Sequence, residues 1–477
     1  MSKNTIFLDF IQSSLVNFDN SETLVLQILK QCKFIKVKQH WHTLYCRNAI
    51  IQILLFLKLA SFKSVFEFVK ADIFKWLPFG KDVIYQVKNN PAINWRGNLL
   101  KQVFQTYKKL SLQPVRKYSD KPEDLPCYII DDTDQFKTGR RIEFIGKIFS
   151  HVNFQGYRLG YKSLNLALWT GKILLHLDFT KHIELGKKKN QGMSTKHLEQ
   201  RFTKQRPTGS YGILRTKELL KKKTDTTVEM VKRAIRKGFK ACYILSDSWF
   251  FCEKILKLAV ETKVDLISRA KFNNWKYRYK NKDYTLPEFT RKFRYLKQRA
   301  YDKKLNIYHV TLQASFKNIA IQIFLYKEKK NGSKWNALIT SDLKLEATRA
   351  YKIYKNRWSI EVSFKELKQN LTYGKCQSND FDAQIADSTL SLMAYNYLSL
   401  EKTVHQNESI GGLFAKVSQS WIKPNLMQEF WKQTYQLIEQ LAQTLQIEFD
   451  KLLDICLNTN SIFKNIQKLT LTFTTET

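Results

Sequence analysis

The chain has 477 residues, 43% of them hydrophobic and 13% aromatic, enough apolar mass for two to four structural units and too much for a disordered tail. A formal net charge of +38, from 80 basic and 42 acidic residues, calls for a polyanionic partner: nucleic acid first, an anionic membrane surface second. The seven cysteines (Cys32, Cys46, Cys127, Cys242, Cys252, Cys376 and Cys456) are dispersed, odd in number and without a C-x-x-C pair, which speaks against zinc fingers and suits a reducing compartment such as the cytoplasm.

Residues 1 to about 122 read as helical. The start, MSKNTIFLDFIQ, lacks a signal-peptide pattern, and the most apolar run, Ile50 to Val69, is interrupted by Gln52, Lys58, Lys63 and Glu67. That run predicts a buried helix pair rather than a membrane span. A further helical pattern runs from Leu99 to Leu110, after breaks at Leu77-Pro78-Phe79-Gly80 and Asn89-Asn90-Pro91. Short helices joined by tight turns suit either a DNA-reading region or plain helical packing.

From 123 to 269 the pattern becomes mixed α/β. Cys127-Tyr128-Ile129-Ile130 reads as a buried strand ending in Asp131-Asp132-Thr133. Strands Leu159 to Trp169 and Lys172 to Phe179 follow, joined by the turn Thr170-Gly171. A very basic stretch, Lys181 to Lys240, includes Lys187-Lys188-Lys189 and ends in the helical pattern Thr227 to Lys237; it reads as a DNA track or as a solvated charged face. The strand Ala241 to Leu245 runs into Ser246-Asp247-Ser248, before a helix from Trp249 to Glu261 and a strand from Val264 to Ser268. Residues 270–342 look like a separate β-rich piece, with strands Asn306 to Leu312, Ala320 to Tyr326 and Ala337 to Thr340. From 343 to 400 the chain reads as helical, beginning with one helix to about Leu371, and 401–477 is a helical C-terminal region. His176, His182 and His197 are not at tight metal-ligand spacing and read as structural.

The chemistry gathers at three acidic positions. At about 100° per residue, a helix carrying Tyr354 sets Arg357 near −60°, Glu361 near −20° and Lys368 near −40° from it, one narrow stripe about 21 Å long. Ile353, Ile360, Phe364, Leu367 and Leu371 form the adjoining apolar stripe. A Tyr, an Arg and a Lys around one Glu make a rail for phosphates, or a salt-bridged surface helix. Asp132 and Asp247 each end an apolar strand, where open α/β sheets place their sites. Carboxylates brought together repel one another unless a cation sits between them, and oxygen ligands suit Mg²⁺ or Mn²⁺ in a two-metal site for phosphoryl transfer.

Tyr354-x2-Arg357-x3-Glu361-x6-Lys368 matches the YREK signature of bacterial insertion-sequence transposases of the DDE class. Ile130-Asp131-Asp132-Thr133 resembles the first acidic motif of that family and Leu245-Ser246-Asp247 its second. The resemblance covers roughly residues 125 to 400. It implies a ribonuclease-H-like mixed-sheet catalytic core with a β-rich insertion, flanked by helical N- and C-terminal regions. It implies Asp132, Asp247 and Glu361 as the metal-binding catalytic triad, and Tyr354, Arg357 and Lys368 as phosphate contacts at the transposon end. Neighbouring strand residues point to opposite faces, so only one of Asp131 and Asp132 can enter the site; alignment on acid-Asp-Thr favours Asp132. Relatives with this signature excise DNA through a flipped base stacked on an aromatic of the insertion, for which Trp275, Trp335 and Tyr277 are the candidates; Trp358 is expected to pack against the insertion.

The expectation is therefore a cut-and-paste transposase that binds double-stranded DNA, both transposon ends and target, as a homodimer, without a membrane partner. The C-terminal helices, including Leu437 to Leu453, would supply the dimer contact or a capping bundle. The rivals are a ribonuclease-H-like nuclease that does not rejoin strands, a transposase-derived DNA-binding protein that no longer cuts and, more distantly, a membrane-surface protein.

Overall fold

The computed structural model describes residues 28–29, 32, 34–35, 45–70, 79–110, 117–150, 156–184, 193–292, 300–303, 306–327, 335–404, 409–449 and 451–452. The chain divides into two units, residues 33–413 and residues 1–32 with 414–477. No helix among the described residues is long and apolar enough to cross a membrane.

Among the described residues, the larger unit opens on four helices: α1 (Arg47–Leu59), α2 (Val65–Lys70), α3 (Lys81–Lys88) and α4 (Trp95–Lys109). α1 buries every residue from Ile53 to Leu59, so its apolar run is interior and not a span. α4 starts where the Asn94 side chain accepts from the Gly97 N–H at 2.7 Å, an N-cap that satisfies a donor the helix itself cannot.

The sheet begins with β1 (Cys127–Phe136), β2 (Gly146–Ser150), β3 (Gly156–Trp169) and β4 (Leu174–His182), all paired antiparallel through β3. β3 turns into β4 at Gly171, whose φ of 89° and close approach to the Asp124 carbonyl leave no room for a Cβ. Three helices cross the basic stretch: α5 (Thr195–Glu199), α6 (Tyr211–Glu218) and α7 (Lys223–Lys237), the last closed by Gly238 at φ 99°. Lys187, Lys188 and Lys189 lie outside the described residues. Then come β5 (Tyr243–Ser246), α8 (Glu253–Thr262) and β6 (Asp265–Arg269). β5 pairs parallel with both β1 and β6.

The insertion contributes β7 (Tyr277–Tyr279), β8 (Lys282–Tyr284), α9 (Leu286–Lys292), β9 (Ala300–Asp302), β10 (Ile307–Phe316), β11 (Ile319–Lys327) and β12 (Asn336–Thr340). These strands extend the core sheet instead of building one of their own, because β12 pairs antiparallel with β6. One twelve-stranded sheet results, in the order β2-β3-β1-β5-β6-β12-β11-β10-β7-β8, with β4 on β3 and β9 on β10. The chain ends in α10 (Ala347–Lys355), α11 (Trp358–Asn370), α12 (Phe381–Val404) and α13 (Ile410–Leu445). This is a mixed α/β fold with a ribonuclease-H-like core, a β-rich insertion and helical flanks.

The core alternates strictly across β1. Tyr128 and Ile130 join Met230, Val231 and Ala234 of α7 and Ile255 and Leu256 of α8 in one apolar cluster. α11 covers the opposite face of β1, burying Ile360, Phe364 and Leu367, each worth about 1.5–3 kcal/mol as apolar surface removed from water.

Around the site, too, elements depart from the sequence reading. β1 does not end at Asp132 but runs on to Phe136, because β3 keeps pairing with it after β5 has stopped. α8 starts at Glu253, not Trp249, since the Asp247 carboxylate captures the Trp249 and Phe250 N–H groups in a turn. The single helix expected to run to Leu371 is two, broken at Asn356 and Arg357. Bonds from Asn356 N–H to Ile353 and from Arg357 N–H to Tyr354 tighten the junction, and the Asn356 side chain donates to the Glu123 carbonyl at 2.8 Å.

Candidate active site

The site forms where β1 outruns β5. Their last parallel pair is Ile130 with Ser246, so Asp131 and Asp132 on β1 and Asp247 after β5 follow at the carboxyl ends of two adjacent parallel strands. β1 stays straight there because β3 still holds Asp131 opposite Asn165 and Asp132 opposite Leu164. Asp131 and Asp132 consequently point to opposite faces of the sheet.

On one face, Arg357 at the N-terminal cap of α11 donates to Asp131 Oδ2 at 3.0 Å and also to Glu361 Oε1. On the other, Lys223 at the start of α7 donates to Asp132 Oδ2 and lies over the Trp249 ring, 4.9 Å from its centroid. Asp247 accepts the Trp249 N–H at 2.9 Å and the Phe250 N–H at 3.4 Å. Each acid of the site is thus partnered by a cation or by backbone N–H groups of this chain.

The carboxylates still feel one another. Burial first, then the charges of Asp132 and Asp247, push Asp131 up to about 7 against the downward pull of Arg357. Burial also raises Asp247, against the two backbone N–H bonds and with the Asp132 charge adding to it. Burial works against the Arg357 charge, but Tyr354, Glu361 and Asp131 together raise its pKa.

α11 is fixed to the sheet by polar as well as apolar contacts. Lys368 Nζ donates to Thr133 Oγ1 at 2.6 Å, and Ser363 Oγ is hydrogen-bonded with His176 Nε2 on β4 at 3.0 Å. Tyr354 closes α10 with its hydroxyl donating to the Ser246 carbonyl at 3.1 Å, one residue before Asp247. Tyr354, Arg357, Glu361 and Lys368 are therefore brought to one site across a helix break and not along one straight stripe.

The candidate base-stacking aromatics separate. Tyr277 is fully buried and unavailable. Trp335 is partly buried, with Lys327 Nζ 5.1 Å over its ring. Trp275 packs beside Phe251 and Phe316 and lines a cavity of about 680 Å³ together with Lys276, Arg278, Lys317, Glu253 and Asp283. Trp358, expected to pack against the insertion, is 61% exposed, because it starts α11 on the side away from the buried Ile360 stripe.

Two participants escaped the sequence. Lys223 is one lysine in the run Lys221-Lys222-Lys223, and only the fold brings it to Asp132. Trp249 carried a signal, following Asp247 by two residues, but its helix was expected to begin there. His176 and His182 are buried and held neutral, chiefly by burial, at about 3 and about 4; His197 is half-buried and bonded with Arg140 and Ser194.

Among the described residues, no three His, Cys, Asp or Glu side chains stand close enough to hold a metal ion as they are placed. The donor chemistry nonetheless fits a hard divalent cation: Asp131, Asp132 and Asp247 follow the last parallel pair of two strands, Glu361 on α11 shares Arg357 with Asp131, and two side-chain cations occupy positions on these carboxyls.

Residues 220–397 match the family model described as the transposase DDE domain. The match takes in Lys223, Asp247, Tyr354, Arg357, Glu361 and Lys368 and begins downstream of Asp132; it supports a transposase of the DDE class. No curated protein matches the chain.

Proposed function

We propose that this protein is a cut-and-paste DNA transposase, which binds the inverted repeats at transposon ends and catalyses metal-dependent strand cleavage followed by strand transfer into target DNA. The observation that carries this reading is the gathering of Asp132, Asp247 and the Arg357–Glu361 pair around the ends of parallel β1 and β5, with Asp247, Arg357 and Glu361 inside the segment that matches a DDE domain.

Asp132, Asp247 and Glu361 would hold two Mg²⁺ or Mn²⁺ ions; when bound, such ions lower the pKa of attacking water or 3′-hydroxyl and stabilise the leaving oxygen. Tyr354, Arg357 and Lys368 line the same edge and would orient the scissile phosphate, Arg357 through its planar fork and Lys368 as a point charge. Trp275, which lines a cavity, is better placed than the partly buried Trp335 to take an unstacked base. Residues 1–122 would read the DNA end, 123–269 and 343–400 would form the catalytic core, 270–342 the insertion, and 401–477 the contact between two copies on DNA. The cytoplasm is the proposed place of action.

The direct contact of Asp131 with Arg357 favours one variation, in which Asp131 and not Asp132 is the β1 ligand. The test for both is incubation of purified protein with linear DNA carrying the end of its own element, with Mg²⁺ or Mn²⁺. Glu361→Gln, Asp247→Asn and one of Asp131→Asn or Asp132→Asn should lose cleavage roughly 10³-fold or more, as expected when several kcal/mol of metal stabilisation vanish. Joined products separate a transposase from a nuclease. Binding without cleavage, equal in wild type and Glu361→Gln, would instead favour a transposase-derived DNA-binding protein.

A further inference from the structure

Lys223 stands where a lysine has little reason to be. It is the first residue of the fifteen-residue helix α7, behind Lys222, so its charge sits at the positive end of the helix dipole. Its side chain is only 15% exposed. Nearby, His182 is held neutral at about 4, mainly by burial and then by the Lys223 charge itself. Something must offset the dipole and the desolvation, and the ion pair with Asp132 Oδ2 does so.

The Trp249 ring forms the other side of the lysine's seat. Lys223 Nζ lies 4.9 Å from its centroid, and the ring is 49% exposed, standing edge-on against Phe250 just after Asp247. An ammonium held between a carboxylate and a half-exposed indole face has two places to be. It can sit on Asp132, or it can stay over the ring and turn outward on its flexible stem. Across β1, Arg357 does the same for Asp131 and Glu361, also from a helix N-terminus.

We propose that Lys223 is a positioning residue: the built-in counter-ion of Asp132, which keeps the acidic site folded without metal, competes with the divalent ion for that carboxylate and is released over Trp249 when the ion binds. The inference rests on the metal-site reading given under Proposed function. Without Lys223, the Asp132 carboxylate would lose this cation while still feeling the charges of Asp131 and Asp247, because Arg357 serves Asp131 and Glu361 on the other face. With it, metal binding becomes an exchange of one cation for another, and the freed ammonium is left beside the site facing solvent, where a DNA phosphate would arrive.

The test is Mn²⁺ binding by calorimetry to the full chain without DNA, comparing wild type with Lys223→Met, Lys223→Arg and Asp132→Asn. Lys223→Met should bind Mn²⁺ about three- to tenfold more tightly, the gain expected when a partly exposed ion pair no longer competes. In a metal-free chelator buffer the same variant should unfold at lower urea than wild type. Lys223→Arg, which keeps the competing charge, should bind Mn²⁺ like wild type, and Asp132→Asn should bind it more weakly. A lysine that merely held α7 in place would lower metal affinity on removal and would not raise it. Mn²⁺ binding that Lys223→Met leaves unchanged or weakens, in a variant folded by near-ultraviolet circular dichroism, overturns the counter-ion role alone. Should Lys223→Met fail to fold, Lys223→Gln carries the same comparison. Absence of Mn²⁺ binding in every variant, wild type included, removes the metal-site reading and this inference with it.

Discussion

The Arg357 guanidinium joins Asp131 of β1 to helix α11: it donates to Asp131 Oδ2 at 3.0 Å and, through its other terminal nitrogen, to Glu361 one turn further on. Lysine keeps the charge but cannot reach both carboxylates with a planar fork. Arg357→Lys should therefore destabilise the protein by about 1–3 kcal/mol, the cost of leaving one half-buried partner unsatisfied. The measurement is the urea midpoint at constant m-value; an unchanged midpoint would mean that the pair does not hold α11 on the sheet.

Acid should weaken the protein through His176. The ring is buried against Phe364 and Tyr395 and bonded with Ser363, and burial lowers its pKa to about 3. The unfolded chain binds a proton near pH 6.5 and the folded chain does not until about 3. Stability is therefore at its full value above pH 6.5 and falls as pH drops towards 3, by about 2 kcal/mol per such histidine at pH 5. His182, lowered to about 4, adds to the same slope. His176→Gln should flatten the pH dependence of urea unfolding between pH 6.5 and 4.5; an unaltered slope would locate the acid sensitivity elsewhere.

Asp387 on α12 is the buried anchor of the N-terminal helices. It pairs with Lys58 of α1 at 3.0 Å and with Lys88 of α3 at 3.2 Å. Burial would raise its pKa, but Lys58 and Lys88 hold it well below the usual carboxylate range. Lys58 also donates to Thr372 at 2.7 Å, in the turn that follows α11. Asp387→Asn leaves two buried lysines without their carboxylate and should cost about 3–5 kcal/mol in urea unfolding. A loss below 1 kcal/mol would show that water replaces the carboxylate at this point.

The charge of +38 predicts steep salt dependence. If the folded surface neutralises six to ten phosphates, affinity for duplex DNA should drop about 10³–10⁵-fold between 50 and 200 mM salt. Fluorescence anisotropy with a labelled duplex reads the slope directly. A nearly flat plot would argue against the basic surface as the DNA track.

Much of this protein is written in its sequence. The apolar runs before Asp132 and Asp247 predict strands and the fold supplies them, because short buried runs of Ile, Leu and Tyr have few other uses. Spacing within Tyr354 to Lys368 groups four residues on one continuous helix, but the break at Asn356 and Arg357 makes that periodicity the wrong reason for their meeting. Other features depend on pairings between distant segments, which no local pattern encodes. Continued pairing with β3 carries β1 past Asp132, and the Asp247 turn delays α8 to Glu253. Pairing of β12 with β6 turns the expected separate insertion into an extension of the core sheet. The tertiary structure alone decides that Asp131 faces Arg357 while Asp132 faces Lys223, because strand alternation fixes that they must differ but only the packing of α7 and α11 on opposite sides of β1 fixes which cation each one meets.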